Sequence, residues 1–506
     1  MPSESVLVHS PVPLWKDFYV ESVEFALQHL KKNNKVYFTV CFKSLPSCPA
    51  NSLHDLSVCS QCVKHQEYVV DILCAKYPET FYPIPIVNLD PEPNNPDFHQ
   101  GLNSLSNVKD ISDLQKLTYK NLPIGSLISS QIAEIVNDAF FDVFDYLKLI
   151  SHIYYHSCKF YEQTISLICQ YNISSVYVWN GRRPASGTVV HAARMLNIYC
   201  LTHIIGSRLG DIYTCHGSYV HCLKSHHENI ESIKYLLLID NSELSNNLIA
   251  AKQFFDFQRA PSKKTNFGQW NFSRQFTLPF KPSTDKPILA IFTSTLWEKV
   301  GMSDYRPFFY EDEYVGLEKV LNIKYLHDKY YVVVRFHPHS FNVGKNELLR
   351  VKNIINKFEG IVDFIEPSSP ISSYSLLDAS HVVATFGSTM GIEAVYNKKP
   401  SILLGPALYQ SLGCNIIPIS HAQLGHILLD GSFNRSTSHP DSYKALAYGL
   451  YESRRTHISF KALVLKNKSF YLDGIPLNPR PTILSRLLKK IVVVFAMMIP
   501  CKNRSS

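Results

Sequence analysis

The chain reads as an α/β protein of two domains that face each other across a cleft. Three observations predict this. Apolar, β-branched runs of strand length alternate with stretches of helical period in the first 205 residues, and the alternation restarts at Pro287. Between these regions lies a segment without clear period, rich in Pro, Lys, Ser, Thr and Asn. Polar residues follow the strand ends in both halves, the place where open α/β sheets hold ligands.

The 506 residues suit two domains of ordinary size, and 45% apolar with 18% charged residues is a globular composition. A net charge of +8 fits a basic groove for an anion or a membrane-facing patch. No basic run with interleaved aromatics points to nucleic acid. The opening MPSESVLVHS lacks the basic and apolar regions of a secretory signal. Twelve cysteines are scattered, with Cys41, Cys74, Cys169 and Cys200 inside apolar runs, which fits reduced thiols and a cytoplasmic setting.

Val6–His9, the amphipathic Glu21–Lys32 and the strand Lys35–Phe42 open the first domain as a βαβ unit. Cys48, His54, Cys59 and Cys62 then offer the ligand chemistry of a structural zinc knuckle, though not at a standard finger spacing; the other reading is a reduced, Cys-rich loop packed on the domain. Residues 81–97 read as loop and 126–170 as long, aromatic-rich helix. Strand Ser174–Trp179 ends in Asn180-Gly181-Arg182-Arg183, followed by helix Ala185–Leu196 and strand Ile198–His203. Either arginine of that turn can pair with a phosphate or carboxylate, or simply face solvent. Residues 216–255 read as polar helices.

In the second half, strand Pro287–Thr293 leads into Ser294-Thr295 and Glu298, and Glu311–Leu326 reads as helix. Strand Tyr330–Arg335 leads into Phe336-His337-Pro338-His339, where proline turns the chain out of the strand and places His337 toward a cleft. Ile361–Ile365 is a strand and Ile371–Asp378 a helix. His381–Gly405 reads as strand, tight turn, helix, strand, with Ser388 and Thr389 at the helix start and Glu393 one turn on. Two readings fit this stretch: a phosphate cradle at a helix N-terminus, or an ordinary βαβ unit with a Ser/Thr cap. Ala422–Leu429 and residues 440–470 read as helical. At the C-terminus, Ile491–Ile499 is apolar but too short to span a bilayer, and residues 480–506 carry basic residues and no acid. An interfacial anchor and a docked helix with a basic tail both fit. The predicted boundaries are 1–255 for the first domain, 256–286 for the linker, 287–430 for the second domain, 431–479 for C-terminal helices packing across both, and 480–506 for the tail.

Taken together, Arg335-Phe-His-Pro338, Ser372–Asp378, Gly387–Ala394 with Lys399-Pro400, and Phe292-Thr-Ser294-Thr295 with Glu298 resemble bacterial capsule and surface-polysaccharide glycosyltransferases of the two-domain, Rossmann-like GT-B type. The His-Pro and Ser-Thr pairs also resemble motifs of bacterial sialyltransferases, Kdo transferases and teichoic-acid glycerophosphotransferases. Asn180-Gly-Arg182, Thr202-His203 with Gly206-Ser207 and Tyr213, and the Cys48, Cys59, Cys62 loop extend the resemblance over most of residues 5–415.

The resemblance implies a nucleotide-sugar donor held mainly by the second domain and a polysaccharide or lipid-linked glycan acceptor at the inner face of the cell membrane. It implies no required cofactor and no catalytic metal. Ser388 and Thr389 would bind the donor phosphate, with Arg335, Ser294 and Thr295 nearby. His337 would neutralise the leaving nucleotide or hold a sugar carboxylate, and Glu393 would hold ribose. Asn180 and Arg182 would serve the acceptor or an anion. One departure bears on mechanism: where the family carries His-Glu-Arg-Gly-Ser, this chain has His203-Ile204-Ile205-Gly206-Ser207. The general base then falls to His203, Asp211 or Glu298. Alternatives to sugar transfer are transfer of a polyol phosphate from a CDP-activated donor, and a non-catalytic role in capsule assembly.

Overall fold

A computed structural model of the chain describes residues 3–10, 12–45, 48–51, 55–86, 103–206, 210–237, 243–259, 279–431, 442–454 and 458–478. The strands of the first half are β1 (Ser5–His9), β2 (Lys35–Val40), β3 (Phe81–Pro85), β4 (Ser175–Trp179), β5 (Tyr199–Ile205) and β6 (Asp211–His216). Those of the second are β7 (Ile288–Phe292), β8 (Tyr331–Arg335), β9 (Asp363–Ile365), β10 (Val382–Thr385) and β11 (Ser401–Leu403). Four short strands follow: β12 (Ile458–Ser459), β13 (Val464–Lys466), β14 (Ser469–Leu472) and β15 (Ile475–Pro476).

The first sheet has the order β12-β6-β5-β4-β1-β2-β3, parallel from β5 to β3 and antiparallel at β5–β6 and β6–β12. The second is wholly parallel, β11-β10-β7-β8-β9. Both are Rossmann-like: connection order reverses beside β1 in one and beside β7 in the other, and such a switch opens a crevice at the strands' carboxyl ends. The central strands β7, β8 and β10 are buried on both faces, as their unbroken apolar runs require.

The two domains are tied by side chains of known partners. After β7 the chain crosses to the first domain, where Trp297 and Val300 pack on its core and Gly301, at φ +80°, lies against the Ser126 carbonyl too closely for a side chain. Asp304 accepts from the Tyr219 hydroxyl and from Leu223 N–H at 2.8 Å. On the far side, Gly344 N–H donates to Asn137 O at 2.8 Å, and Asn346 N–H donates to Asp138 Oδ2 at 2.9 Å. Glu347 accepts from Ala139 N–H at 3.0 Å and from the Tyr314 hydroxyl at 2.9 Å. The helix Ser442–Arg454 packs on Leu244–Arg259 and on Met390–Tyr396; the Phe255 and Tyr396 rings stack at 4.0 Å.

Several expectations change. Residues 81–85 are an edge strand rather than loop; an edge position tolerates Pro83 and Pro85 because only one side needs ladder bonds. Residues 126–170 form two helices, Ile124–Val136 and Leu147–Gln170, the first ended by Asn137 in the left-handed conformation. Helix Leu244–Arg259 runs into the expected linker. Of the expected C-terminal helices within 440–470, Ser442–Arg454 forms, but the chain then turns to strand. The reason is local: Asn467-Lys468 (φ 51° and 62°) and Asp473-Gly474 (φ 47° and 85°) are two-residue hairpin turns. These hairpins bury Leu463, Phe470, Leu472 and Leu477 against Val6, Val8 and Phe38 of the first domain. The tail 480–506 lies outside the described residues, and among those described no helix is long and apolar enough to cross a membrane.

Glu347 gives this junction a pH dependence. It is 0% exposed, and burial, opposed by the Ala139 and Tyr314 bonds, raises its pKa to about 7. The folded protein therefore holds a proton that the unfolded chain releases above about 4.5, so stability falls as pH rises from about 4.5 to 7. The full effect is on the order of 3 kcal/mol. Melting curves across this range should show a slope in the native protein that is reduced in Glu347→Gln; identical slopes would contradict the assignment.

Candidate functional site

The site is built on the carboxyl ends of β7, β8 and β10. Strand β7 ends in Thr293-Ser294-Thr295, all buried. Ser294 is fixed by Glu313 at the start of helix Glu313–Leu321: its N–H donates to Oε1 at 2.6 Å and its hydroxyl to Oε2. Glu313 is 1% exposed; burial raises its pKa, against the pull of Lys299 and Ser294. Lys299 lies in the same network. Its ammonium donates to Ser294 Oγ at 2.7 Å and to Phe386 O, at the end of β10, at 3.0 Å.

At the end of β8, His337 N–H donates to Thr293 Oγ1 at 2.9 Å. His337 Nδ1 accepts from His339 N–H at 3.2 Å and lies 2.8 Å from Thr295 Oγ1. An accepting Nδ1 puts the neutral ring's proton on Nε2. Burial, then the His339 side chain, with Lys299 and Arg335 acting the same way and Glu298 opposing, bring the His337 pKa down to about 4. The ring is therefore neutral at pH 7. In that state the ring offers an N–H through Nε2.

Glu298 stands next to this histidine, with His339 Nδ1 at 3.5 Å from Oε1. Burial pushes its carboxyl up, but the His339 hydrogen bond and charge, with His337 and Arg182, outweigh it and leave the pKa below its ordinary value. Arg182 reaches the same region from the first domain. Its Nε donates to Ser130 Oγ at 2.7 Å, and its N–H donates to Asn180 Oδ1 at 3.1 Å. Burial lowers the Arg182 pKa, with Arg183 acting the same way and Glu134 and Glu298 opposing. Arg183 instead makes a two-pronged pair with Glu134 beside Trp15 and Trp179. Of the two arginines, Arg182 thus faces the second domain and Arg183 is tied to its own.

The 386–393 turn differs from a simple anion cradle. Gly387, at φ +95°, lies so close to the Pro406 carbonyl that no side chain fits. Ser388 N–H donates to Thr385 Oγ1 at 2.7 Å, and the Ser388 carbonyl accepts from the Tyr409 hydroxyl. Met390 N–H is held by Ser388 Oγ at 3.3 Å, and those of Gly391 and Ile392 by the carbonyls of Ser388 and Thr389 at 3.1 Å. The N–H groups of Ser388, Met390, Gly391 and Ile392, expected to be free, are thus already bonded, leaving the exposed Thr389 and the Ser388 hydroxyl. Glu393, 2% exposed, accepts from the Tyr374 hydroxyl at 3.1 Å through Oε1, and burial raises its pKa to about 7. A ribose hydroxyl would have to use Oε2 or displace Tyr374. Arg335, 1% exposed, donates to the carbonyls of Ile365 and Glu366, away from β7 and toward β9.

One expected assignment is corrected outright. His203 is 0% exposed, with Nδ1 at 3.2 Å from Glu21 Oε2 and Nε2 at 3.3 Å from Ser22 Oγ. It lies under helix Lys16–Leu30 beside Phe25, and burial lowers its pKa to about 3; it is a core residue that no acceptor hydroxyl reaches. The residues expected as a zinc knuckle are arranged differently. Cys59 and Cys62 lie on helix Leu56–Lys76, whose N-cap Asp55 accepts from Ser57 and Val58 N–H, so the C-x2-C pair is not on a knuckle loop. Cys41, Cys48, Cys59 and Cys62 line one apolar pocket as free thiols, and burial raises the pKa values of Cys41, Cys48 and Cys62. His54 lies outside the described residues, and among those described no group of three or more His, Cys, Asp or Glu is placed to hold a metal ion.

Sequence reasoning missed Lys299, Glu313 and the partnership of His339 with Glu298. The His337-Pro-His339 spacing was a visible signal for the last. Nothing in the local pattern marked Glu313, because only the fold brings it to β7.

Residues 310–416, spanning β8 to β11, match the family model described as capsule polysaccharide biosynthesis protein. No curated protein matches the chain. Among solved structures, the chain is similar to the β-Kdo 2,4 transferase of KpsC from Thermosulfurimonas dismutans, at 14% identity, 63% of this chain, 87% of that chain and TM-score 0.34. It is similar to the β-Kdo 2,7 transferase of the same organism's KpsC, at 13% identity, 66% of this chain, 89% of that chain and TM-score 0.34. It is also similar to UDP-GlcNAc 2-epimerase from Neisseria meningitidis, at 12% identity, 90% of this chain, 98% of that chain and TM-score 0.29. At such TM-scores the fold is judged from the strand orders themselves. The family match, 310–416, covers the ends of β8 and β10, where His337, Ser388 and Thr389 stand.

Proposed function

We propose that the protein is a glycosyltransferase that moves a sugar from a nucleotide-activated donor to a growing capsular or surface polysaccharide. The observation that carries this reading is the convergence of His337, Thr295, Glu298 and Lys299 at the switch point of the second sheet, opposite Arg182 of the other domain, with His337 inside the segment that matches the family model.

The chemistry asked of these groups is limited. The acceptor hydroxyl attacks the anomeric carbon and passes its proton to Glu298, which His339 orients. The bond from that carbon to the donor phosphate oxygen breaks, and the electron pair leaves with the phosphate. His337 donates through Nε2 to an oxygen of the donor, while Thr295 and the His339 N–H hold its ring in place. Donors preset where charge develops supply the largest share of such catalysis. Ser388 and Thr389 contact the donor phosphate through their hydroxyls, and Arg182 and Asn180 serve the acceptor side. Glu298 takes the place of the carboxylate that Ile204-Ile205 lacks.

Purified protein incubated with CMP-, CDP-, UDP- and GDP-linked sugars and a glycan acceptor should release nucleotide from one of them. His337→Ala and Ser388→Ala should each lower that rate by roughly 100-fold or more with melting temperature unchanged. Wild-type rates in either variant would reject the assigned site, and no release from any donor would favour a non-catalytic role in capsule assembly.

We also propose that the basic segment 480–506 holds the protein at the anionic inner leaflet, where a lipid-linked acceptor resides. A chain ending at residue 479 should no longer sediment with acidic vesicles at low salt. Undiminished sedimentation would reject the anchor.

A further inference from the structure

We propose that Lys299 is the cationic group that holds the donor phosphate. This rests on the donor reading above and names the residue that supplies the charge. Three of the groups expected at the phosphate bring no positive charge to it, and Arg182 is held by Ser130 and Asn180 of the first domain. His337 is a neutral ring that offers one N–H. Arg335 turns toward the carbonyls after β9. The backbone N–H groups of Ser388, Met390, Gly391 and Ile392 are bonded within their own turn.

Lys299 stays on the correct spot. Its ammonium bridges the ends of β7 and β10 by donating to Ser294 Oγ at 2.7 Å and Phe386 O at 3.0 Å. A Cβ built on Gly387 would lie 3.4 Å from its Nζ, so the ammonium borders the turn that leads to Ser388 and Thr389. An ammonium has three N–H donors, and both partners here are neutral oxygens, so one donor remains. No carboxylate lies within ion-pair distance of Nζ among the described residues. Glu313 spends both of its oxygens on Ser294, and Glu298 is paired with His339. A half-buried ammonium whose hydrogen bonds go only to neutral oxygens, with the Tyr305 ring 6.0 Å away as its other neighbour, gains from an anion brought to it. Rigid attachment to two strand ends means that little side-chain freedom is lost when the anion arrives.

A purely structural Lys299 would only staple Ser294 to Phe386, and the two roles separate by ligand. Binding of CMP, CDP, UDP and GDP should be compared with that of cytidine, uridine and guanosine, in the native protein and in Lys299→Met and Lys299→Gln. The native protein should prefer one nucleotide over its nucleoside. Both variants should bind that nucleotide roughly 10–100-fold more weakly and the nucleoside as before. Lys299→Gln keeps an N–H donor for the two oxygens without the charge. In the native protein, which needs no folded variant, the nucleotide should protect Lys299 from amine acylation severalfold more than the other lysines. A nucleotide preference unchanged in the folded variants, or acylation of Lys299 unaffected by bound nucleotide, overturns the Lys299 assignment alone. A native protein that binds none of the nucleotides overturns the donor reading and this assignment with it.

Discussion

The contact on which the site depends is the buried pair of Glu313 with Ser294. A carboxylate that is 1% exposed must find donors, and it takes the N–H and the hydroxyl of the residue that ends β7. That fixes the strand end. Lys299 then bonds the same hydroxyl and reaches Phe386 at the end of β10, while Thr295, one residue on, meets His337 at the end of β8. Three adjacent strand ends are thereby held by a single network with few free rotamers. A doubly wound sheet supplies the crevice at this point, and the polar chain lining it decides what the crevice accepts.

The same segment also joins the domains. From Ser294 to Tyr305 the chain leaves the second sheet, packs Trp297 and Val300 on the first core, and anchors Asp304 to Tyr219 and Leu223. Glu298 and Lys299 are therefore positioned by both domains at once, and Arg182 faces them from the first. The region around His203, where the resemblance places an acceptor-side base, is instead packed as core under helix Lys16–Leu30. With Glu298 as the proposed base and Lys299 as the proposed phosphate-binding group, the two roles fall on adjacent residues of one turn.

Much of the strand and helix pattern was legible in the sequence, because buried parallel strands such as Ile288–Phe292, Tyr331–Arg335 and Val382–Thr385 must be continuous apolar runs. Short-range signals were overlooked at Asn467-Lys468 and Asp473-Gly474, where hairpin turns were read as part of a helical region. Phe81–Pro85 was obscured by its prolines, which only an edge position explains. In the site, His337, Thr295 and Glu298 stand at strand ends that the pattern locates. His203 misled for the same reason: it stands late in β5, yet its ring points under a helix, and the alternating faces of a strand cannot be assigned without its neighbours. Lys299 and Glu313 carry no local mark, since their roles arise from contacts that span β7, β10 and a helix nineteen residues from Ser294.

The central claim is that the switch point of the second sheet is where an activated donor binds. Hydrogen–deuterium exchange of the native protein, with and without saturating CMP, CDP, UDP or GDP, tests it most directly. The account predicts that the nucleotide which binds slows exchange at residues 293–299, 336–342 and 386–390, leaving the Cys41–Cys62 region and the hairpins at 464–476 unchanged. Slowed exchange confined to the first domain, with no change at the ends of β7, β8 and β10, would contradict it.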